Sequence, residues 1–233
     1  MLLKIKHIFF DLDHTLWDFD TNAKLSMQQV YNNLNLQALG ITNFDDFYNK
    51  YSHYNDLLWE RYRNGFIKQD ELRWKRMFKT LLDFKIGNEI LAKQMSTQFL
   101  ELLPTRNAVF PYTYQILDYL KTKNYTLHLI TNGFVEVQHN KLKHANLANY
   151  FTKVITSQES NSLKPNREIF DYALAQTGAT VLTSIMIGDN IDADIRGAAN
   201  MGMQTVWVNH LNNQTTSHAT YTVFNLKSIE TLL

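Results

Sequence analysis

Four short apolar runs, at residues 8–10, 127–130, 185–187 and 206–208, each end abruptly in polar residues. Runs that brief, without polar alternation, belong to strands buried on both faces, and that burial is the condition of a parallel sheet. Helical spacing of apolar residues separates them, at 114–121, 135–145, 167–177 and 195–199. Strands alternating with helices from about residue 105 onward predict a doubly wound, Rossmann-like α/β core with a parallel sheet.

Residues 18–88 follow a different period. Phe44, Phe47, Tyr48 and Tyr51, then Trp74, Met77, Phe78, Leu81 and Leu82, recur at helical intervals, with Gly40, Gly65 and Gly87 between the periodic stretches where helix ends need positive φ. The expected organisation is therefore a core of 1–17 and 89–233 interrupted by an all-helical insert at 18–88. Trp59, Trp74 and the tyrosines of the insert are read as helix-bundle core, and Arg73, Lys75, Arg76 and Lys79 as a solvated helix face.

Lys plus Arg number 23 against 22 Asp plus Glu, a balance without the basic field that holds a nucleic acid polymer. With no cysteine, disulfides, zinc thiolates and thiol nucleophiles are excluded. Lys4, Lys6 and Asp11 break the N-terminal apolar run before a signal-peptide core can form. No later stretch is apolar enough to span a bilayer, so no membrane partner is expected and the chain is read as cytoplasmic. No feature specifies an oligomeric state.

Ligands of open α/β sheets bind at the carboxyl ends of the strands, and Asp11, Thr131 and Asp189 each follow a predicted strand at that end. If the chain stays extended past Phe10, Asp11 and Asp13 point to one side, and like charges that close repel unless a divalent cation lies between them or one carboxyl holds a proton. Magnesium suits such oxygen ligands and bridges to phosphate. The alternative is a pair of turn-capping carboxylates. In "IMIGDNIDAD", Asp189 is placed as a further metal ligand, Asp194 as a group orienting a ligand or a metal-bound water, and Asp192 as a solvated first-turn residue.

Thr131, Asn132 and Gly133 join a strand to a helix, a junction that offers backbone N–H groups and a hydroxyl to an anion, or else a plain N-cap. Lys164 precedes Pro165, a residue suited to the first helical position, and its ammonium would neutralise phosphate and Asp11.

The stretches "DLDHT", "ITNG", "KP" and "GDNIDAD", in that order, resemble the four motifs of the haloacid dehalogenase superfamily. The helical insert resembles that superfamily's mobile cap. By this resemblance Asp11 would be a nucleophile forming an aspartyl-phosphate, and Asp13 would protonate the leaving alkoxide and then activate water. Members that cleave carbon–halogen bonds lack the second carboxylate, so Asp13 points to phosphoryl transfer. Magnesium would be held by Asp11, Asp189 and the Asp13 main-chain carbonyl, and the transferring oxygens by Thr131, the Asn132 backbone and Lys164. "ITNGF", "KPNREIFDYAL" and "LLWERYRNG" further resemble the pyrimidine-preferring 5′-nucleotidase branch. They imply a small phosphorylated substrate, (deoxy)pyrimidine monophosphates, with Trp17 and Phe19 near the hinge lining the pocket. Two alternatives stand beside this: a phosphatase or mutase acting on a sugar phosphate or similar metabolite, and a non-catalytic phosphate-binding or sensing protein.

Overall fold

The structure is a computed structural model that describes residues 5–233, and Lys4 lies outside them. The chain forms two compact units, residues 5–19 with 107–233, and residues 20–106.

The first unit is built on a six-stranded parallel sheet. Its strands are β1 (His7–Phe10), β2 (Thr126–Thr131), β3 (Lys153–Thr156), β4 (Ser184–Gly188), β5 (Gln204–Val208) and β6 (Tyr221–Val223), in the order β3-β2-β1-β4-β5-β6. After β1 the chain builds outward through β2 to β3, then crosses back to add β4 on the other side of β1. The order therefore reverses at β1/β4, and this opens a crevice at their carboxyl ends. Phe10 is in register with Leu129 on one side and Ile187 on the other, so the residues following all three strands emerge at one level.

Ile8, Phe9 and Phe10 are wholly buried, because β1 is covered on both faces. Phe9, Ile130, Ile155 and Met186 pack with Ile169, Phe170, Ala173 and Met203 in one cluster, each large side chain contributing about 1.5–3 kcal/mol relative to exposure. β3 and β6 are absent from the sequence reading. Both are edge strands, with Lys153, Tyr221 and Thr222 exposed, so neither presents an uninterrupted apolar run.

The second unit consists of α1 (Phe19–Asn33, its first residue in the sheet unit), α2 (Phe44–Arg63), α3 (Gln69–Asp83) and α4 (Glu89–Leu102). Its far boundary lies at 106, beyond the expected 88, because Leu91, Ala92, Met95 and Phe99 give α4 its own buried stripe within this unit. Gly40 and Gly65 take positive φ as expected, but the turn before α4 takes it at Lys85 and not at Gly87. Tyr51 is core, whereas Trp59 and Trp74 are half-buried, each packed on an aromatic one turn along its own helix, Tyr62 and Phe78. Arg76 departs from the solvated face expected of it. It lies one turn from both Leu72 and Thr80 on the buried stripe, and its guanidinium donates to Asn55 Oδ1 at 2.7 Å and covers the Phe99 ring.

Beside the sheet, α5 (Thr113–Thr122) and α6 (Val135–His144) follow the apolar periodicity, α7 (Ser157–Ser160) is a short polar turn outside it, and α8 (Arg167–Thr177) follows it again. The expected helix at 195–199 is instead a π-helical turn, Ile191–Arg196, running into a short α segment. Pro165 stands before the N-cap Asn166 and not at the first helical position.

At the opposite end of the strands, His7 and His128 stack with ring centroids 5.5 Å apart and Nδ1 and Nε2 3.2 Å apart, and Phe9 covers the second face of His128. Burial, helped by His7 and Lys153, pushes His128 down to about 4. The unfolded chain takes up this proton near pH 6.5 and the folded chain only near 4. The neutral ring thus contributes stability in full above pH 6.5, and that stability is lost as pH falls toward 4. The loss is expected to reach about 2–3 kcal/mol. Urea midpoints between pH 7 and 5 should fall less steeply for His128→Phe than for wild type, and equal slopes would remove His128 as the cause.

Candidate functional site

The sheet brings the strand-end polar residues together around one buried ammonium. Lys164 Nζ donates to Asp11 Oδ1 at 2.5 Å, to Asp194 Oδ1 at 2.6 Å and to the Ile130 carbonyl at 2.7 Å, which uses all three of its hydrogens. Its backbone is fixed in the same region: Lys164 N donates to Asn132 Oδ1 at 2.7 Å, and Asn132 Nδ2 donates back to the Lys164 carbonyl at 3.0 Å. Burial disfavours the charge on Lys164, but Asp11 and Asp194 outweigh it and hold the pKa above the ordinary lysine value.

Asp11 continues β1, with its N–H donating to the Ile187 carbonyl at 2.9 Å. Asp189 follows β4 and accepts from the Thr15 hydroxyl at 2.9 Å, while its carbonyl accepts from Trp207 Nε1 at 2.8 Å. Asp194 Oδ2 accepts from Asn190 N–H at 3.1 Å. Gly188 is required between strand and turn, because a Cβ there would lie 2.3 Å from Asp194 Oδ2. Asp192 is exposed and pairs with Arg196, as expected of a solvated residue.

Oxygens of Asp11, Asp189 and Asp194 lie within 4.8 Å of one another. Three carboxylates sharing one ammonium leave excess negative charge. Accordingly Asp11 is raised well above the usual carboxylate range, by burial first and then by Asp194 and Asp189 against the opposing pull of Lys164. Asp189 is pushed up to about 7, by burial and then by Asp194. Hard oxygen donors with uncompensated charge suit a divalent cation such as magnesium. Among the described residues, Asp194 and not the Asp13 carboxylate completes this group.

Asp13 is held separately. Its two carboxylate oxygens accept from Lys141 Nζ at 2.6 and 2.9 Å, and Oδ2 also accepts from Gln138 Nε2 at 2.9 Å. Each of the two motif carboxylates thus has its own lysine, Lys164 for Asp11 and Lys141 for Asp13. Thr131 Oγ1 accepts from Gln138 Nε2 at 2.6 Å and from Gly133 N–H at 3.1 Å, which leaves its own hydrogen to donate. The junction offers fewer backbone donors than expected, since the Gly133 amide is spent on Thr131 and the Val135 amide on Gln158 at 2.8 Å. Trp17 is fully buried, its ring 6.3 Å from Phe19, and the Lys141 ammonium lies 4.4 Å from the Trp17 centroid and 5.7 Å from that of Phe19.

Sequence reading passed over Thr15, Gln138 and Lys141. The signal lay in α6, where Gln138 and Lys141 share a face with buried Leu142 on a helix otherwise polar on its solvent side.

The acid cluster lies where the strand order of the parallel sheet reverses, the place at which open α/β sheets bind their ligands. Residues 8–208 match the family described as haloacid dehalogenase-like hydrolase, and the chain belongs to that family. It is 29% identical to the pyrimidine 5′-nucleotidase PynA of Streptococcus pneumoniae, over 96% of this chain and 93% of that one. It is 31% identical to the pyrimidine 5′-nucleotidase YjjG of Escherichia coli, over 99% of both. A glyceraldehyde 3-phosphate phosphatase of Methanothermobacter thermautotrophicus is 32% identical over 88% of this chain and 86% of its own. The fold is that of the hydrolase YfnB of Bacillus subtilis, solved bound to magnesium, at a TM-score of 0.89 over 99% of both chains and 22% identity. No helix among the described residues is long and apolar enough to cross a membrane.

Proposed function

We propose that this chain is a magnesium-dependent phosphomonoester hydrolase that works through an aspartyl-phosphate and acts on (deoxy)pyrimidine nucleoside 5′-monophosphates. The observation that carries the chemistry is the separation of the two motif carboxylates, Asp11 beside Lys164 and the acid cluster, Asp13 beside Lys141 and Gln138. Two carboxylates in two environments have two roles. An Asp11 oxygen attacks phosphorus, the ester P–O bond breaks, and Asp13 gives its proton to the departing alkoxide. Water then attacks the phosphoryl group on Asp11, Asp13 takes the water's proton, and phosphate leaves with the Asp11 carboxylate restored. Lys164 and the Thr131 hydroxyl, with the Asn132 backbone, stabilise charge on the transferring oxygens. Asp11, Asp189 and the Asp13 main-chain carbonyl would hold magnesium, with Asp194 beside them, and the ion would reduce repulsion between Asp11 and an anionic substrate.

The base preference rests on two relatives named pyrimidine 5′-nucleotidases that match nearly the whole chain. A small sugar phosphate is the second reading, favoured by the relative named for glyceraldehyde 3-phosphate. One panel tests both, with kcat/KM for nucleoside monophosphates and for triose and hexose phosphates, each in magnesium and in excess chelator. Uridine or thymidine 5′-monophosphate should lead, and chelator should abolish turnover. A purine nucleotide or sugar phosphate leading by more than about tenfold, roughly 1.4 kcal/mol, removes the nucleotidase assignment. Full activity in chelator removes the metal, and no phosphate release from any ester favours a binding protein.

A further inference from the structure

We propose that Lys141 and Gln138, outside the four motifs, are positioning residues that fix the direction of the Asp13 carboxylate and tie it to the phosphate-binding hydroxyl of Thr131. This inference rests on the phosphomonoesterase reading. Lys141 is 3% exposed, and its ammonium bonds both Asp13 oxygens at 2.6 and 2.9 Å. A surface pair samples many geometries and contributes little, whereas an ammonium enclosed between a carboxylate and the Trp17 face, 4.4 Å from the ring centroid, has one. Gln138 is fully buried and spends its amide hydrogens on Asp13 Oδ2 at 2.9 Å and Thr131 Oγ1 at 2.6 Å. Gly133 leaves the room this needs, because a Cβ there would lie 2.4 Å from the Gln138 side chain.

Two consecutive turns of α6 therefore set where Asp13 accepts hydrogen bonds. Both Lys141 and Gln138 present donors to it, the arrangement in which Asp13 acts as an acceptor. The half of the cycle most exposed to their loss is the second, when Asp13 must accept a proton from the water that breaks the aspartyl-phosphate. A merely structural ion pair would affect stability and leave that partition unchanged.

The test compares wild type with Lys141→Met, Lys141→Arg and Gln138→Leu at saturating substrate, reading phosphate release, KM, and chain-bound phosphate by mass spectrometry after rapid quench. Lys141→Met should lose about 100-fold in kcat, with KM changed by less than about threefold and phosphate accumulating on the chain. Lys141→Arg, which keeps donors for both oxygens, should recover much of the rate, and Gln138→Leu should move in the same direction by a smaller factor. Should Lys141→Met fail to fold, judged by its thermal transition, Gln138→Leu is read by the same criteria. A kcat near wild type, a change confined to KM, or no accumulated phosphate overturns the inference and leaves the hydrolase reading standing. Wild type that releases phosphate from no ester overturns both.

Discussion

Asp11→Asn is expected to lose at least about 10⁴-fold in kcat, roughly 5.5 kcal/mol of transition-state stabilisation, while its thermal midpoint in chelator stays equal to wild type or rises. An amide cannot attack phosphorus, so the covalent step is lost outright. The fold has no reason to suffer. Asp11 is one of three carboxylates within 4.8 Å sharing a single buried ammonium, and neutralising it relieves repulsion. The Asn oxygen can still accept from Lys164, and Asp194 keeps that ammonium paired. Magnesium should stabilise wild type more than the variant, since one anionic donor is gone. Turnover above about 1% of wild type would remove Asp11 as the nucleophile, and a large fall in the chelated midpoint would contradict the charge excess.

Lys164→Met should act in the opposite direction on stability. Removing the cation leaves Asp11 and Asp194 facing each other in a buried site, which costs about 3–5 kcal/mol when one partner of a buried pair is deleted, or roughly 10 °C in midpoint for a chain of this size. The deficit should narrow as pH falls, because protonated carboxyls no longer need the cation. Activity should drop by about 10²–10³, the cost of losing a preorganised positive charge beside the transferring oxygens. Scanning calorimetry in chelator at two pH values checks the first claim and kcat checks the second. A midpoint within about 2 °C of wild type would mean that the carboxylates shed their charge without the lysine.

The sheet was legible wherever strands are buried on both faces. β1, β2, β4 and β5 were visible as apolar runs, while β3 and β6 lie at the edges, carry exposed polar residues and gave no such signal. The extent of the helical unit was misjudged for a related reason. The buried stripe of α4 has helical period, but nothing local says which unit it covers. Lys75, Arg76 and Lys79 read alike as charges, and only packing places Arg76 inside against Asn55 and Phe99.

At the site, the sequence by itself determined that Asp11, Thr131 and Asp189 stand at strand ends and that Lys164 directly precedes Pro165, because a strand's polar terminus and a motif's order along the chain are one-dimensional facts. Tertiary structure alone decided how the charges are shared. Lys164 is 153 residues from Asp11, and Lys141 is 128 from Asp13, so which ammonium meets which carboxylate depends on strand order and on the rotation of α6. Coulomb and hydrogen-bond energies fall off over a few ångströms of space, and spacing along the chain carries no record of that distance until the sheet has closed.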